Sequence, residues 1–492
     1  MGSGAVRTFG QLEERSRRLA GALAAGGLGP EDRVAVVMTN ELATLDVAWA
    51  LQRSGVHYTL VNTHLTADEA AYIVNDCGAG LLFVSAGLGE LAGALAERTP
   101  GVTTRVAAGG PLPGHRDLEE MVAAGRPRPA EAEFEGSAML YSSGTTGRPK
   151  GIRRPLTGAP FGTRNPLAGL MDGLLGVGPG DVYLSPAPLY HSAPLTWSMS
   201  AHRLGATSVV MERFDPERCL DLMGDQGVTH AQFVPTMFVR LLKLDPGIRQ
   251  RARLDTLRAV VHAAAPCPVE AKRRMIEWWG PILHEYYSGT EGGGMTWVTS
   301  EQWLAHPGSV GPAVWGEVHV CDDQGIELGP GETGVVWFGG RPNDFVYNND
   351  EQKTAETFDP RGWSTLWDVG HLDEDGFLYL TDRKLFMIVS GGVNIYPQEV
   401  EDALILHPEV ADVAVFGVPD AEMGEAVKAV VQPADGVEPG PALAHRLLAY
   451  AREHLARYKC PRSVDFVEAL PRGENGKLYK RALRDPYWAS RP

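Results

Sequence analysis

Long hydrophobic runs are missing from this 492-residue chain. No apolar stretch approaches the roughly 20 residues needed to span a bilayer, which argues against a membrane-spanning protein. The opening Met-Gly-Ser-Gly-Ala-Val-Arg has no signal-peptide core. Cysteine is scarce as well. The five (Cys77, Cys219, Cys267, Cys321, Cys460) are far apart, odd in number and include no CxxC pair, so a disulfide framework and a zinc site are both disfavoured. Basic charge is in deficit: 45 Lys+Arg against 61 Asp+Glu leave −16. That argues against a general binder of nucleic acid or anionic membrane, while leaving room for a local basic site. Neither an internal repeat nor a low-complexity tract occurs, and 58 glycines and 35 prolines without period exclude a collagen-like chain. With 44% apolar and 22% charged residues the balance is that of a soluble globular protein, expected in the cytoplasm. The length calls for two or more domains, and the sequence leaves a homodimer open.

What is present is a strand–helix alternation. Leucines at helical spacing (Leu12, Leu19, Leu23) predict an amphipathic helix over 8–25. Strands follow at 33–38, 58–61 and 81–85, with helices at 42–53 and from the Thr66/Glu69 capping box through 74. The rhythm resumes with strands at 208–211, 230–234, 257–263 and 282–287, and a helix starting at Asp215-Pro216. Such alternation implies parallel sheets covered by helices. After Pro307 the pattern turns hairpin-like, with strands 318–321 and 334–338 around a turn-rich stretch. Its GxGxxG match (Gly329, Gly331, Gly334) precedes a strand and contains Pro330, so it reads as a β-turn, not a dinucleotide fingerprint. A second domain is expected to begin near Asp382, with strands 413–418 and 427–431 and a helix 443–457.

One stretch carries the chemistry. Residues 141–152 read Tyr-Ser-Ser-Gly-Thr-Thr-Gly-Arg-Pro-Lys-Gly-Ile, after an apolar lead at 138–140 that predicts a buried strand. Four hydroxyls, three glycines and one lysine within ten residues suit a polyphosphate, because glycine admits close backbone approach and successive N–H groups form an anion nest. It is not a P-loop, since Pro149 stands where the second glycine belongs and Gly151 follows the lysine. The loop resembles the phosphate-binding signature of adenylate-forming enzymes: acyl-CoA synthetases, aryl-acid ligases, peptide-synthetase adenylation domains and luciferases. Their pattern, [Tyr/Thr]-Ser-Gly-Thr-Thr-Gly-x-Pro-Lys-Gly, is met from Ser143 to Gly151, and further family-like motifs follow in order to about Arg484.

The resemblance implies an α/β fold. A large N-terminal domain (1–381) of parallel α/β subdomains plus a β-rich subdomain would be joined by a hinge (382–386) to a small mobile C-terminal α+β domain (387–492). It also implies roles. Ser142, Ser143, Gly144, Thr145, Thr146, Gly147 and Lys150 would hold the phosphates of ATP, with Ala264, Ala265 and Pro266 as the adenine wall. In Tyr286-Tyr287-Ser288-Gly289-Thr290-Glu291, Tyr287 would stack on adenine, Thr290 bond a phosphate and Glu291 hold Mg²⁺. Asp368 and Arg383 match the ribose-contacting pair, although Trp367 replaces the glycine of the family's Thr-Gly-Asp. His191, in Pro-Leu-Tyr-His, matches the aromatic gate before the acyl pocket. Ser192 stands where amino-acid-activating relatives carry Asp, and a neutral hydroxyl cannot pair with an ammonium, which disfavours an amino acid. Ala193, Trp197, Ala263, Ser288 and Gly289 would line a roomy apolar slot for a fatty, aryl or polycyclic acid. Ser390, Gly391 and Gly392 resemble the CoA tunnel loop. Leu385 sits where relatives carry a polar hinge residue, and Lys477 in Glu-Asn-Gly-Lys matches the family's catalytic lysine.

These parts answer one electrostatic problem. Joining a carboxylate to the α-phosphate of ATP opposes two anions by about 4 kcal/mol per charge pair at about 4 Å. Lys477, the loop donors and Mg²⁺ on Glu291 would offset that repulsion where charge develops. The implied activity is an ATP-dependent carboxylic acid–CoA ligase working through an acyl-adenylate. An adenylation-only enzyme handing its product to a partner is the alternative that Leu385 motivates. A non-catalytic nucleotide sensor, from a different class, would be expected to lack Lys477 or Glu291, and both are present.

Overall fold

Short apolar strands alternating with amphipathic helices do close a parallel sheet. The computed structural model describes residues 1–142, 149–383, 386–391, 393–472 and 478–489. They fall into two compact units, the first of Met1–Gln232, Ala252–Arg258 and Asn343–Glu356, the second of Phe233–Arg251, Ala259–Pro342 and Thr357–Pro492. Among the described residues no helix is long and apolar enough to cross a membrane.

In the first unit a six-stranded, all-parallel sheet runs in the order Arg116–Asp117, Thr104–Ala108, Leu81–Ser85, Arg33–Val37, His57–Leu60, Ser137–Ala138. Its central strands are buried throughout, as expected when helices cover both faces. Helix Phe9–Ala25 opens with a Thr8/Gln11 capping box, and Ala67–Asp76 with the expected Thr66/Glu69 box. Leu42–Arg53 forms as its spacing predicts. Three further parallel strands lie in the order Thr207–Val210, Val182–Ser185, His230–Phe233. The buried strand expected over 138–140 is instead two short ones. Ser137–Ala138 ends the parallel sheet, and Leu140–Ser142 pairs antiparallel with Lys150–Arg153 in a separate sheet completed by Val346–Tyr347. Met139, 1% exposed, lies at the switch and its N–H still donates to Tyr58 O.

The second unit is mixed. Ala259–His262 and Leu283–Tyr287 are parallel, but Met295–Thr299 and Ala313–Trp315 continue antiparallel, which the alternation did not anticipate. A four-stranded antiparallel sheet follows: Glu317–Cys321, Gly334–Gly339, Ser364–Leu372, Leu378–Arg383. Gly331 sits in the turn between the first two with φ 79°, so the GxGxxG match is a turn there. The C-terminal sheet has Val393–Ile395, Ile388–Ser390, Gly424–Pro433 and Val410–Asp420 in order, with Ser463–Phe466 also paired to Gly424–Pro433. Together with helices Pro397–Leu404 and Pro441–His454 it encloses its own core of Ile388, Val400, Val413, Val415, Val431 and Leu447.

A titratable group is built into the first unit's packing. Trp49 Nε1–H donates to His202 Nδ1 at 3.1 Å, and Phe9 meets the imidazole edge-on at 5.7 Å between centroids. Burial lowers the His202 pKa from 6.5 to about 4. Because the folded value lies below the unfolded one, this contribution is fully present above pH 6.5 and is lost as pH falls towards 4. Across that window the thermal midpoint of the wild-type protein should fall more steeply than that of His202→Gln, whose side-chain oxygen can still accept from Trp49. Parallel melting curves would refute the assignment.

Candidate active site

The first unit holds the two ends of the glycine-rich loop. Leu140, Tyr141 and Ser142 pair with Ile152, Gly151 and Lys150. Ser143, Gly144, Thr145, Thr146 and Gly147 lie outside the described residues, but their anchors do not. A Cβ on Gly151 would fall 2.8 Å from the Tyr141 ring, so only glycine allows the stems to close this tightly. Tyr141 Oη donates to Asp76 Oδ2 at 2.5 Å, and burial with that carboxylate raises the phenol pKa far above its usual value. Tyr72 Oη donates to Pro149 O at 3.3 Å. Lys150 Nζ donates to Asp350 Oδ2 at 2.5 Å. The sequence reading had no partner for Lys150, which lies 200 positions from Asp350.

Also in this unit, His191 is the N-cap of helix Ser192–Arg203 and packs against Tyr190 with centroids 4.5 Å apart. Ser192 and Ala193 form the helix's first turn, Ser192 O accepting from Thr196 Oγ1 at 2.7 Å. Trp197, one turn on, is 2% exposed.

The second unit brings together residues far apart in sequence. Strand Leu283–Tyr287 ends in the segment Ser288–Glu291, and Tyr287 Oη donates to Asp368 Oδ2 at 2.7 Å. Asp368 is buried, and its backbone lies opposite Arg383 in the antiparallel pair. Ser288 Oγ donates to Gly294 O at 2.7 Å. A Cβ on Gly289 would lie 2.6 Å from Leu366 Cδ2 and 2.7 Å from Glu291 Oε2, so any side chain there would displace those two side-chain ends. Glu291 is buried at 9% exposure, with Thr290 half-buried beside it. On the neighbouring strand end Ala263 is buried, Ala265 half-buried, and Ala264 and Pro266 are exposed.

Two of these positions carry backbone strain. Trp367 has φ 63° and Ala264 φ 77°, the left-handed region that favours glycine. The turn before Asp368 therefore keeps a glycine-like conformation although the residue is tryptophan. Its N–H donates to Thr365 Oγ1 at 2.9 Å, and its indole lies 6.2 Å from that of Trp337. Further along, Ser390 is buried and Gly391 (φ 57°) donates to Met423 O at 2.8 Å. Gly392, Leu385 and Lys477 lie outside the described residues.

Sequence reasoning missed the charge pair beneath this strand end. Lys272, fully buried in helix Val269–Trp279, donates to Glu285 Oε2 at 2.6 Å and lies 4.9 Å from the Trp303 ring centroid. Burial pushes the Glu285 carboxyl up, and Lys272 pulls it partly back. His262 is fully buried against Phe238, and desolvation holds its pKa well below the usual value. The strand at 282–287 was readable, but not the helix Val269–Trp279 or the burial and pairing of Lys272 with Glu285. Glu285 lies two residues before Tyr287, so the pair anchors the strand that presents it. Lys272→Met should lower unfolding stability by about 3–5 kcal/mol by leaving the carboxylate uncompensated, and Lys272→Met/Glu285→Leu should recover much of that loss. Chemical denaturation measures both; equal losses in the two variants would contradict the pairing.

The model of the "AMP-binding enzyme" family matches residues 2–343, and that of the "AMP-binding enzyme C-terminal domain" matches 399–477. A fatty acid–[acyl-carrier-protein] ligase, ScoC of Streptomyces coeruleorubidus, is 32% identical over 99% of this chain and 92% of its own. A feruloyl-CoA synthase of an Amycolatopsis species is 34% identical over 98% of this chain and 94% of its own. Among solved structures, the amide bond synthetase McbA from Marinactinospora thermotolerans superposes with a TM-score of 0.84 at 29% identity, covering 99% and 96%. On these grounds the chain belongs to the AMP-binding, adenylate-forming enzyme family.

Proposed function

We propose that the chain is an ATP-dependent carboxylic acid–CoA ligase that forms an acyl-adenylate, releases pyrophosphate and passes the acyl group to CoA. The observation that carries the nucleotide half of this reading is the Tyr287–Asp368 pair at the strand end that leads into Thr290 and Glu291. A buried carboxylate backed by a phenol suits ribose hydroxyls, which donate to it. The small, partly exposed stretch Ala264–Pro266 suits the flat face of adenine. Glu291 fits Mg²⁺. Among the described residues no three His, Cys, Asp or Glu converge on a metal, and Mg²⁺ needs no such cage: one carboxylate, waters and substrate phosphates suffice. Bound there, the ion would neutralise phosphate charge.

In this reading Lys477 bridges the acid's carboxylate and the α-phosphate, while Lys150 and the loop of Ser142–Gly147 hold the phosphates. The acid enters beside His191, Ser192 and Ala193, and the small Ser192 and Ala193 side chains one turn before buried Trp197 support a hydrophobic acid. The division at 382–386 is supported by the separate core that Ile388–Phe466 encloses. Rotation of that small domain about Leu385 would exchange Lys477 for the Ser390–Gly392 loop between the two steps.

A second reading is favoured by the relatives. Proteins of comparable similarity are named for acyl transfer to a carrier protein, to CoA and into an amide bond. Under it the chain makes the same acyl-adenylate and differs only in the acceptor. ATP–pyrophosphate exchange across a panel of fatty, aryl and polycyclic acids tests the first step; adding CoA, a holo-carrier protein or an amine separately tests the second. Thioester with CoA is expected, and exchange without it would move the assignment to the second reading. Lys477→Ala should slow exchange by about 10²–10³ while circular dichroism and thermal midpoint stay unchanged. Undiminished exchange in that variant would remove Lys477 from the mechanism.

A further inference from the structure

The Lys150–Asp350 pair is built more rigidly on one side than on the other. Strand Val346–Tyr347 pairs with Ile152 and Arg153, Asn348 N donates to Gly151 O at 2.7 Å, and the Asn348 and Asn349 amides donate to Asp76 O at 2.7 and 3.0 Å. Asn349 takes φ 55° to turn the chain into Asp350. The carboxylate then divides its work. Oδ1 accepts Lys353 N at 2.9 Å, capping the first turn of helix Glu351–Thr357, and Oδ2 takes the Lys150 ammonium at 2.5 Å. Asp350 O accepts Thr354 Oγ1 at 2.9 Å, fixing the residue further. Lys150, by contrast, reaches across on a flexible four-carbon stem.

With side chains 16% and 33% exposed, this pair contributes little to stability. A left-handed asparagine and two side-chain amides tied to Asp76 O are a large outlay for so small a return, so the placement of the carboxylate needs another explanation. Lys150 is the only lysine of the glycine-rich loop, and its ammonium is occupied by an anion fixed in place.

We propose that Asp350 is a resting-state counter-ion for Lys150, a positioning residue that holds the ammonium at the loop's stem and must be displaced by a nucleotide polyphosphate. It thereby sets the nucleotide affinity. The inference rests on the adenylation reading. A carboxylate and a phosphate compete for the same three donors, and the exchange keeps Lys150 paired in both states. Lys150 and the Lys353 N–H hold the Asp350 carboxyl below its usual range, so it stays ionised at neutral pH and the competition is permanent.

Asp350→Asn retains the capping oxygen and removes the charge. Calorimetric titration of the full-length protein with MgATP should give a Kd lowered about threefold, the size expected for releasing a partly exposed ion pair. KM for ATP should fall in step, with kcat not raised. In a Lys150→Met background the same substitution should give no gain, and Glu351→Gln, a neutralisation one residue along, should give none either. Asp350→Ser, another capping residue, should reproduce the result if the Asn variant folds poorly. Unchanged or weaker binding in Asp350→Asn, or a gain that persists without Lys150, would overturn the counter-ion role alone. Wild-type protein that binds no MgATP would overturn the adenylation reading and this inference with it.

Discussion

Closure of the glycine-rich loop is the constraint on which the first unit's candidate chemistry depends. Residues 143–149 begin and end at positions that face each other, Ser142 opposite Lys150, about 5 Å apart as paired strands require. The hairpin stems therefore meet the entropy of closing the loop before any ligand arrives. Three features hold the stems: Gly151 against the Tyr141 ring, Tyr141 on Asp76, and Tyr72 on Pro149. Asp76 ends helix Ala67–Asp76, and its backbone oxygen also takes Asn348 and Asn349. One helix terminus thus fixes both the loop and the segment that carries Asp350.

Backbone strain is distributed in the same way. Among the described residues only Ala264, Asn349 and Trp367 take positive φ without being glycine. Each costs on the order of 1–2 kcal/mol relative to an ordinary conformation. Ala264 lies in the proposed adenine wall, Asn349 precedes Asp350 and Trp367 precedes Asp368. Strain of this kind persists where surrounding structure over-determines it, and here hydrogen bonds do so: Trp367 N to Thr365 Oγ1 and the Asn349 amide to Asp76. At Trp367 the family's Thr-Gly-Asp pattern has glycine, and the tryptophan here takes the left-handed conformation that favours glycine.

How much of this was legible follows the range of the interactions. The capping box at Thr66, the Asp215-Pro216 helix start and the strand at 81–85 are local signals, and the structure has them. The parallel sheet follows from alternation, as does the β-rich change after Pro307. What periodicity could not carry is non-local. Nothing between 137 and 142 signals that the chain leaves one sheet for another at Met139. Lys272 with Glu285 and Lys150 with Asp350 join elements whose patterns are complete without each other. Nor does the sequence show that Trp367, in the family's glycine position, takes a left-handed φ and donates its N–H to Thr365 Oγ1.

Charge limits how so acidic a chain can bind a polyphosphate. At −16 overall, a long-range attraction for ATP is unavailable, and anion binding has to come from individual cations. Those described near the candidate residues are each paired: Lys150 with Asp350, Lys272 with Glu285 and, in the C-terminal sheet's surroundings, Lys480 with Glu401 at 2.8 Å. The fully buried pair serves the scaffold, because neither partner can leave without stranding the other. The half-exposed one is free to exchange its anion, since water can take up the released carboxylate. Burial therefore separates the Lys272–Glu285 pair, which serves the scaffold, from the Lys150–Asp350 pair, which is accessible enough for the proposed exchange.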